Sequence, residues 1–546
     1  MTDPAEAAAF CDPRLTNLHD PTGLPDLSRA AERLVEALRR EEPVVIWGDY
    51  DVDGVTASAI LRRTFRAIAP DAPVRVFIPH RIDDGYGLHA EGVRRLAREG
   101  AKVIVSVDCG ITAVEPAHAA LACGVDLIIT DHHTPPARIE DLPDAFAVVH
   151  PGRPDSTYPF HDLTGAGVAY KLAWRAATIA AGSQRVGESM RALLVDLLAF
   201  AAMGTIADVA PLVDENRVIV KYGLARIKAT PSVGLRALIQ ASDLAGETVA
   251  SDDVGFRLAP RINACGRLGH ARDALELLLT DDPARATSLA AAMTRLNDER
   301  RRTERAITAH AATRAEEAGM TREDCRAIVL ADAQWHAGVI GVACSRLIGR
   351  FHRPTVLLTR SGDECHGSCR SIEGYDIHEA LAACSEHLRT FGGHAMAAGL
   401  SLSETSLDAF TRAFTAHANE HLTPADLVPT LTIDCETTLS QLDVRSVQRL
   451  GSLAPFGRGN PNPSVLIRDA RIEEPPRPLG ADGQHLKITL RQGDRAVRVL
   501  AWGWGARRSQ IRPGQIVDAV VEPSLNSWRG VVTVEPTLKD LGLREG

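Results

Sequence analysis

The sequence lacks the features of a membrane protein or of a disulfide-stabilised secreted protein. No apolar run approaches the roughly 20 residues needed to cross a bilayer, and the N-terminus has Asp3 and Glu6 where a signal peptide would be basic. The 10 cysteines form no Cys-x-x-Cys pair, which favours reduced thiols. No fixed-period repeat or low-complexity tract occurs. We therefore expect a soluble, cytoplasmic protein that does not contact a membrane.

The chain also lacks the net positive charge that is common among nucleic-acid-binding proteins. Its formal net charge is −9, but the sum is uninformative where acidic and basic residues are segregated. Residues 471–546 carry 12 Arg and Lys against 9 Asp and Glu. The C-terminal end is therefore basic within an acidic protein, and a nucleic-acid substrate is not excluded.

The pattern of apolar residues predicts several domains, as the length of 546 residues and the 45% hydrophobic content allow. From Pro43 to about Val149, short β-branched runs alternate with alanine-rich amphipathic stretches, which is typical of parallel strands joined by helices. The predicted strands are Val44–Trp47, Val74–Ile78, Val103–Val107, Leu127–Thr130 and Ala147–Val149. The predicted helices between them are Val55–Ala67, His89–Glu99 and Ala113–Ala122.

Beyond this sheet, the sequence predicts a long helix, a second α/β unit and a β-barrel. Residues 284–318 contain neither Pro nor Gly, and we expect the arginines at 300, 301, 302 and 305 on the exposed side of this helix, where a charge run is usually a solvated face. The second unit has predicted strands at Ala327–Leu330 and Thr355–Thr359 around the helix Val339–Arg350. After about Pro429, short strands with Gly, Pro and Asn between them predict a small β-barrel.

The most informative stretch is Gly-Asp-Tyr-Asp-Val-Asp-Gly at residues 48–54, directly after a predicted buried strand. The carboxylates of Asp49, Asp51 and Asp53 would repel one another unless a cation neutralised them. An acidic turn that caps the next helix would account for only one of the three. A sheet of this type places functional groups beyond the carboxyl ends of its strands, so we predict a metal site here.

Two neighbouring strand ends carry similar residues. Asp108 follows Val107, and Asp131-His132-His133 follows Thr130. Adjacent histidines alone are equally consistent with an ordinary polar turn, but together with the aspartates they form a ligand set suited to Mn²⁺ or Mg²⁺ rather than structural zinc. Such a set can hold two ions about 3.5–4 Å apart, the arrangement used in phosphoryl transfer.

The order of these motifs resembles the DHH phosphoesterase superfamily and, within it, the RecJ branch, over nearly the whole chain. Residues 48–54 are similar to the first motif and Asp108 to the second. Asp131-His132-His133 is similar to the signature that names the superfamily, and Asp208 within 204–209 to the fourth motif. The Gly-Gly-His stretch at 392–399 is similar to the glycine-rich motif of the associated second domain.

The resemblance implies a set of metal ligands and two catalytic residues. The implied ligands of two divalent ions, Mn²⁺ or Mg²⁺, are Asp51, Asp53, Asp108, His132 and Asp208, with Asp108 bridging the ions. Asp49 is implied as an additional acid near the first metal, and His133 as a polar or proton-donating partner of the reacting phosphate. Every required position is present, which argues against a relative that keeps the fold only for binding.

Three further segments are candidates for substrate binding. Asn263 and Arg267 lie in a stretch of small residues and arginines that would let a phosphate backbone approach closely; a turn with surface arginines is the alternative. Ser368, Arg370 and Ser371 resemble the family's pocket for the 5′-terminal phosphate. For His394 we predict substrate contact, and the alternative is that its preceding glycines only allow tight packing.

The predicted architecture is an α/β parallel-sheet DHH domain joined by a long helix to a second α/β (DHHA1) domain, followed by a C-terminal OB-fold barrel. The predicted boundaries are 1–42 for an N-terminal extension, 43–225 for the DHH catalytic domain, 226–320 for a helical connector with the long helix, 321–425 for the DHHA1 substrate-binding domain and 426–546 for the nucleic-acid-binding barrel. Candidate phosphate contacts in the barrel are Arg491, Arg495, Arg498, Arg507 and Arg508. Candidate stacking residues are Trp502, Trp504 and Trp528, although tryptophans in a small barrel are more often core residues.

The resemblance implies an exonuclease specific for single-stranded DNA, which degrades it 5′→3′ to mononucleotides by two-metal phosphodiester hydrolysis in DNA recombination and repair. The resemblance also implies a single-strand-binding protein and a RecQ-type helicase as partners, and a monomer is the default. One alternative is a DHH phosphoesterase for short oligonucleotides, cyclic dinucleotides or nucleoside phosphates, against which the added barrel argues. The other is a non-catalytic DNA-binding scaffold.

Overall fold

The computed structural model describes residues 3–80, 87–480, 482–528 and 530–543. The chain divides into two compact units. The larger one comprises residues 18–210 and 218–429, and the smaller one comprises residues 1–17, 211–217 and 430–546.

The larger unit begins with a parallel sheet in the order β2-β1-β3-β4-β5. Its strands are β1 Val44–Trp47, β2 Val74–Phe77, β3 Val103–Val107, β4 Asp126–Thr130 and β5 Ala147–Val149. The predicted parallel sheet is confirmed, with strand bounds that differ by at most one residue. The central strands β1 and β3 are buried throughout and are apolar except for Ser106, because helices cover both faces of the sheet.

Helices surround this sheet and continue into the connector. The α-helices up to the long one are α1 Pro4–Cys11, α2 Leu27–Arg39, α3 Val52–Ile68, α4 Ala90–Arg98, α5 Val114–Ala122, α6 Gly165–Ala181, α7 Glu188–Ala207, α8 Asp214–Lys228, α9 Val233–Ala241, α10 Ser251–Asp253, α11 Ala259–Leu268, α12 Arg272–Leu279 and α13 Pro283–Glu317. Helix α3 begins three residues earlier than predicted because Asp51 caps it. The motif after β1 therefore runs into the first turn of a helix.

Although charged residues interrupt α7, so that it contains no continuous apolar run of about 20 residues, it is, among the described residues, long and apolar enough to cross a membrane by length and composition alone. Of that stretch, 56% is buried inside the protein. It packs against α3 and α6, so its apolar surface is used within the core of the larger unit.

Helix α13 is the predicted long helix, and it is continuous over 35 residues. Asp282 caps its start and Pro283 occupies the first turn, where proline is tolerated. Its first half packs on α9 and α11, and its second half contacts the following domain through α14, residues Ala337–Phe351. The expectation that Arg300 lies on the exposed side is wrong, because its side chain is only 12% exposed and pairs with Glu304.

The second α/β domain has a mixed sheet in the order β6-β7-β8-β10-β9, in which only β6 and β7 pair in parallel. Its strands are β6 Ile328–Asp332, β7 Thr355–Ser361, β8 Glu364–Arg370, β9 Thr390–His394 and β10 Ala397–Ser403, and its helices after α14 are α15 Ile377–Ala383 and α16 Leu407–His421. The glycine-rich motif forms the β9–β10 hairpin, and Ser368 and Arg370 lie on β8.

The smaller unit contains the predicted barrel. Strands β12, β16, β19, β15 and β14 pair in that order, and pairing of β14 with β12 closes the barrel. Its elements are β11 Cys435–Thr437, α17 Val444–Gly451, β12 Val465–Ile472, β13 Arg477–Leu479, β14 His485–Gln492, β15 Arg495–Ala501, β16 Ile516–Glu522, β17 Leu525–Trp528, β18 Val531–Val534 and β19 Thr537–Leu543. Inward-facing aliphatic side chains of alternate residues fill its interior.

Buried Arg217 joins the separate segments of this smaller unit. Its guanidinium donates hydrogen bonds to the carbonyls of Phe10, Leu453, Ala454 and Pro455 at 2.7–3.2 Å. It also lies 3.8 Å over the Phe10 ring, where a cation is attracted by the π-system. One side chain therefore holds α1 and the loop after α17 together.

Candidate active site

The loop after β1 brings carboxylates to the carboxyl edge of the parallel sheet. Asp51 accepts hydrogen bonds from the backbone N–H groups of Asp53 at 2.9 Å and Gly54 at 3.2 Å. Asp49 is buried beside them, and a Cβ on Gly54 would lie 2.6 Å from the Asp49 Cβ. The glycine that ends the motif therefore allows the loop to fold tightly enough to gather these aspartates.

Asp53 is 1% exposed and is held by the N-terminus of α6. Its Oδ2 accepts from Gly165 N–H at 2.6 Å, and its Oδ1 accepts from Ala166 N–H at 3.0 Å. A helix N-terminus stabilises a carboxylate. Even so, burial and then the charge of Asp51 raise the pKa of Asp53 to about 7. The backbone donors alone do not offset the burial of this charge, and a bound cation would.

Asp108 follows β3 with a backbone φ of 63°, a left-handed conformation that Asp tolerates better than most residues. It is buried, and a Cβ on Gly165 would lie 2.6 Å from the Asp108 Cβ. Burial, followed by the charges of Asp53 and Asp51, raises the pKa of Asp108 well above its usual value. The start of α6 and the end of β3 therefore pack directly on each other around two carboxylates.

Asp131 has a structural role within the Asp-His-His signature. Its Oδ1 accepts from the N–H groups of His132 and His133 and from His133 Nδ1 at 2.7–3.2 Å, and its Oδ2 accepts from Ile111 N–H at 2.9 Å. Burial opposes ionisation, but the hydrogen bond and charge of His133 outweigh it, and the pKa of Asp131 lies far below its usual range. Asp131 therefore fixes the turn and orients the two histidines.

His132 faces the carboxylates. Its Nε2 lies 3.0 Å from Asp108 Oδ1, 3.6 Å from Asp53 Oδ2 and 3.9 Å from Asp208 Oδ2. Burial and then the proximity of His133 lower the pKa of His132 to about 3. The imidazole is therefore neutral at physiological pH, and the neutral ring is the form that binds a metal ion.

Asp208 reaches the site from the end of α7. It is the C-cap of that helix, and a Cβ on Gly204 would lie 2.3 Å from Asp53 Oδ1, so the glycine permits the close approach of α7. The next residue, Val209, has a φ of 57°, which is costly for a β-branched side chain. Val209 is 60% exposed, and backbone hydrogen bonds from Val209 N–H to Ile206 O at 3.1 Å and from Ala210 N–H to Thr205 O at 3.2 Å hold this turn, which positions Asp208 beside the other carboxylates.

Within the described residues, these side chains form three overlapping groups of potential ligands: Asp49, Asp51 and Asp108; Asp108, His132 and His133; and Asp53, His132 and Asp208. In each group the ligand atoms lie within 4.8 Å of one another. Asp108 Oδ1 and His132 Nε2 are buried without a hydrogen-bond partner in the described part of the chain, which costs free energy unless a cation binds. Carboxylates with imidazole suit Mn²⁺ or Mg²⁺, so the site fits the predicted ions; the role of each residue stays a prediction.

His133 is held on three sides. Asp131 bonds its Nδ1 at 2.7 Å, the His394 ring stacks on it with centroids 5.9 Å apart, and its carbonyl accepts from His150 Nε2 at 2.7 Å. Burial lowers the pKa of His133, but the hydrogen bond and charge of Asp131 raise it to about 9. The ring is therefore charged at neutral pH. Sequence reasoning missed His150, because a lone histidine forms no pattern.

Comparison with known proteins places this site in a family. The models of the DHH family N-terminal domain, the DHHA1 domain and the RecJ OB domain match residues 43–205, 324–420 and 433–540. The single-stranded-DNA-specific exonuclease RecJ of Bacillus subtilis is 37% identical over 546 residues, which are 100% of this chain and 67% of the relative. That of Thermus thermophilus is 38% identical over 519 residues, covering 95% of this chain and 71% of the relative. The chain belongs to the RecJ family.

A solved structure supports the same assignment. The crystal structure of RecJ from Thermus thermophilus in complex with Mn²⁺ matches with a TM-score of 0.82 at 37% identity, and the match covers 99% of this chain and 74% of that chain. The family resemblance and the fold class predicted from the motifs are therefore confirmed. The metal expected from the residue types also agrees with the ion in that relative.

In this RecJ-family chain, the second α/β domain contributes His394 to the edge of the site. Its Nδ1 lies 3.0 Å from Thr134 Oγ1, and its ring stacks on His133. Burial and the neighbouring charge of His133 lower the pKa of His394. His394 is thus a neutral side chain that extends from the β9–β10 hairpin over the signature histidines, and its predicted substrate contact stays a prediction.

Asn263 and Arg267 contact the protein's own backbone. Asn263 Oδ1 accepts from Val52 N–H at 3.1 Å, between Asp51 and Asp53 of the segment after β1, residues 48–54, which we call the metal loop. Arg267 Nη1 donates to Gly338 O at 3.0 Å, at the start of α14. These contacts support positioning roles, whereas substrate binding by the two residues stays a prediction.

Ser368 and Arg370 lie side by side on β8, facing the first turns of α14. A Cβ on Gly341 would lie 3.2 Å from Ser368 Oγ and 3.4 Å from Arg370 Nη2. Ser371 differs, because its buried hydroxyl donates to Tyr375 O at 2.5 Å. The first two therefore form a compact pair of donors, while the contact of Ser371 supports a structural role.

The candidate tryptophans of the barrel differ in their exposure to solvent. Trp502 is 54% exposed and meets the His485 ring edge-on at a centroid distance of 4.9 Å. Trp504 packs against the barrel core, with Arg507 4.5 Å over its ring. The side chain of Trp528 lies outside the described residues. Trp502 is therefore the tryptophan of this pair with a ring available for stacking.

The candidate arginines of the barrel are only partly available for phosphate. Arg491 pairs with Glu473, and Arg508 Nε donates to Pro476 O at 3.2 Å. Arg498 lines a groove together with Arg477 and Lys487. Contact of these residues with DNA stays a prediction, and that groove is the part of the barrel surface that supports it.

The structure adds positions that the sequence reasoning missed. The start of α6, Gly165-Ala166, supplies both backbone donors to Asp53. Thr164 precedes it as the N-cap, so a threonine before a run of small residues was an available signal of a helix start that could hold an anion.

Proposed function

We propose that the protein is a metal-dependent exonuclease that hydrolyses single-stranded DNA from the 5′ end to mononucleotides. The observation that carries this proposal is the set of overlapping ligand groups with atoms within 4.8 Å of one another. The relatives named as single-stranded-DNA-specific exonucleases support the substrate class. The RecJ OB domain match at residues 433–540 supports a polymeric substrate over a small one.

Asp51, Asp53, Asp108, His132 and Asp208 would hold two divalent ions, Mn²⁺ or Mg²⁺. Asp108 and His132 each belong to two of the ligand groups, and of the two only the carboxylate has two oxygens to offer to two ions, so Asp108 would be the bridging ligand. Two such ions, when bound, activate the attacking water and stabilise charge on the reacting phosphate. The residues of this chain fix the geometry through the three strand ends and the ends of α3 and α7.

His133 would donate a hydrogen bond, and a proton where one is needed, to an oxygen of the reacting phosphate. Its pKa of about 9 keeps the ring charged at neutral pH, and Asp131 holds its orientation from the opposite nitrogen. A positioned cation beside the phosphate stabilises charge that develops in the transition state. Asp49, buried in the same loop, would act as an additional acid near one metal.

Ser368 and Arg370 would bind the 5′-terminal phosphate and so set the polarity of digestion. A hydroxyl and a guanidinium give directional donors to a phosphate monoester, and an uninterrupted strand offers no such end. Both residues are on the second domain, and the metal ligands are on the first. A strand bound between them would need to be unpaired, so cleavage within the duplex part of a fork without a helicase would contradict this proposal.

The wider role follows from the family. We propose action in DNA recombination and repair, a cytoplasmic location, and a monomer that works with a single-strand-binding protein and a RecQ-type helicase. The proposed domain limits remain 1–42, 43–225, 226–320, 321–425 and 426–546, and the matched models at 43–205, 324–420 and 433–540 lie within the second, fourth and fifth of these divisions.

The direct test is digestion of single-stranded DNA labelled at either end, in the presence of Mn²⁺, by the wild type and by Asp108→Asn. Release of the 5′ label first, as a mononucleotide, and its loss in the variant are expected. Asp243→Asn is a matched control because Asp243 is exposed and has a φ of 54°. DNA binding without cleavage by the wild type would indicate a scaffold, and cleavage confined to very short oligonucleotides would indicate a small-substrate phosphoesterase.

A further inference from the structure

A groove between α13 and α14 is lined largely by guanidinium groups. It has a volume of about 360 Å³ and, within the described residues, it is lined by Arg300, Arg301, Glu304, Arg305, Thr308, Ala309, Arg346 and Arg350. We call this the arginine groove. No residue of the candidate active site lines it, so it is a separate feature of the larger unit.

A buried carboxylate holds part of the groove in place. Glu304 is 5% exposed, and it accepts from Arg300 Nη1 at 2.6 Å and from Arg346 Nε at 2.7 Å. Asn297 fixes a second nitrogen of Arg300 at 2.8 Å. Two guanidiniums share one carboxylate, so this network keeps a net positive charge, and its side chains are pre-oriented rather than freely solvated.

Other donors in the groove have no acceptor among the residues that the structure describes. Arg301 and Arg305 are exposed and form no ion pair with any described residue. Arg300 Nε and Thr308 Oγ1 are buried and have no hydrogen-bond partner within the described part of the chain. Buried donors without an acceptor cost free energy, so the groove favours a ligand rich in acceptor oxygens.

The charge balance indicates an anionic ligand. Arg350 pairs with Glu316, so the carboxylates of Glu304 and Glu316 offset only part of the charge of the lining arginines. The whole chain has a net charge of −9, and a local positive groove in an acidic protein concentrates polyanions there. The cations are all arginine, whose planar donors match phosphate oxygens better than lysine does.

The groove lies on the opposite side of α14 from the proposed 5′-phosphate pocket. Gly341 of α14 packs on Ser368 and Arg370, and Cys344 Sγ donates to Ser368 O at 3.2 Å. Arg346 and Arg350 follow Gly341 by five and nine residues, which at 3.6 residues per turn places them about 140° and 180° around the helix from it. A DNA strand bound at the proposed pocket would therefore lie across one helix from this groove, and it is the polyanion that the proposed function brings nearest to it.

We propose that the arginine groove is a second phosphate-binding site, which takes the sugar–phosphate backbone of substrate DNA outside the catalytic cleft. This proposal rests on the proposed function. The groove offers guanidinium and hydroxyl donors and no aromatic side chain among its lining residues, so it binds phosphates without reading bases. Its effect is to retain long substrates, while a short oligonucleotide occupies the cleft alone.

The test compares Arg301→Ala/Arg305→Ala with Arg295→Ala/Arg302→Ala, a matched control because it also removes two charges, and Arg295 and Arg302 are exposed on the same helix but do not line the groove. Binding of an oligo-dT of about 40 nucleotides, several times the length one OB fold covers, is measured in the Asp108→Asn background to prevent cleavage. Arg301→Ala/Arg305→Ala should bind roughly tenfold more weakly than the control. The slope of log affinity against log salt should fall by about 0.7 for each phosphate that the variant no longer neutralises.

A second readout separates this proposal from the proposed function. In the active enzyme, kcat and KM for an oligonucleotide of about 5 nucleotides, near the lower end of the length one OB fold covers, should be unchanged by Arg301→Ala/Arg305→Ala. If the wild type does not cleave that oligonucleotide or the long one, the proposed function fails. If it cleaves both and Arg301→Ala/Arg305→Ala keeps the affinity and salt slope of Arg295→Ala/Arg302→Ala, only the groove proposal fails.

Competition identifies the source of the anion. Inorganic pyrophosphate should displace long DNA from the wild type only at concentrations far above those of competing oligo-dT, because DNA engages several sites at once. Equal potency of pyrophosphate would overturn the DNA assignment in favour of a free phosphate ligand. Stronger competition by poly-glutamate than by oligo-dT, absent in Arg301→Ala/Arg305→Ala, would overturn it in favour of an acidic protein partner.

Discussion

Asp108→Asn should stabilise the protein in the absence of metal and destabilise it, relative to the wild type, in the presence of Mn²⁺. The oxygens of Asp49, Asp51 and Asp108 lie within 4.8 Å of one another. At that distance two unit charges repel by about 3.5 kcal/mol at an effective dielectric constant of about 20. Protonation relieves part of this, so the expected gain from removing one charge is about 1–3 kcal/mol in the free energy of unfolding.

The substitution to asparagine removes the charge of the Asp108 side chain and keeps its shape. Asn is isosteric with Asp and also tolerates the φ of 63° at this position, whereas Ala would add backbone strain. The new amide can donate to the neutral His132 ring, whose Nε2 lies 3.0 Å from Asp108 Oδ1. A loss of stability through an unsatisfied buried group is therefore not expected.

Without metal, the stability of Asp108→Asn relative to the wild type depends on pH with a definite sign. Burial and the neighbouring aspartates raise the pKa of Asp108 in the folded protein, so without metal its contribution to stability is fully present below the unfolded pKa of about 3.9. That contribution is lost as the pH rises through the folded pKa. The advantage of Asp108→Asn over the wild type, measured without metal, should therefore grow with pH.

Thermal unfolding with EDTA and with a Mn²⁺ series is the assay. At a concentration 100-fold above Kd, Mn²⁺ should stabilise the wild type by about 2.7 kcal/mol, and the variant should gain much less. The order of the two Tm values should thus reverse between the two conditions, while Asp243→Asn follows the wild type. An equal Mn²⁺ shift in wild type and Asp108→Asn, or a lower Tm of the variant in EDTA, would refute the reasoning.

Contacts around the site and in the smaller unit lead to three further predictions. Gly165→Ala would place a Cβ 2.6 Å from the Asp108 Cβ, and it should weaken Mn²⁺ binding, measured by calorimetry, at least roughly tenfold. The control is Gly187→Ala, whose Cβ would have nothing within 4 Å, and equal Mn²⁺ affinities of the two variants would contradict the packing argument. Asn263→Ala removes the acceptor for Val52 N–H, and it should raise the Mn²⁺ concentration needed for half-maximal activity about tenfold while KM for DNA is unchanged. A rise in KM for DNA alone would instead support substrate binding by Asn263. Arg217→Met removes the guanidinium donor of four carbonyls, of which those of Leu453 and Pro455 keep the Asn460 amide as a donor, and it should lower the free energy of unfolding of the smaller unit by about 2–3 kcal/mol in urea titrations. Arg14→Met, at an exposed pair with Asp12, should change it by less than about 0.5 kcal/mol, and similar losses in both would argue against this role of Arg217.

The parallel sheet and the gathering of the site residues could be predicted because both depend on local patterns. Strands buried on two faces are apolar throughout, so β1, β3 and β4 are visible as runs of Val and Ile. Residues that follow parallel strands meet at one edge of the sheet. Asp51, Asp108 and His132 each follow such a strand within a few residues, and their convergence needed no knowledge of side-chain contacts.

Contacts between distant segments could not be predicted in the same way. Arg217 bonds to carbonyls more than 200 residues away on either side, and carbonyls are present at every residue, so no sequence signal identifies the partners. The composition of the smaller unit from residues 1–17, 211–217 and 430–546 was therefore missed. The role of Gly204 was missed for the same reason. A Cβ at this position would lie 2.3 Å from Asp53 Oδ1, and the sequence does not show that the two residues meet.

The segment containing Asn263 and Arg267 shows why a pattern of residue types can indicate two different roles. A phosphate that approaches a backbone closely requires small residues flanked by polar donors, and so does a helix that packs tightly on a loop. Here Gly266 meets the loop itself, since a Cβ at that position would lie 2.5 Å from Tyr50 O. Asn263 bonds to Val52 in the same loop, and Arg267 bonds to the start of α14. Because both roles require the same residues at the same spacing, only the observed contacts distinguish them, and they favour a helix that holds the metal loop at a fixed place relative to α14.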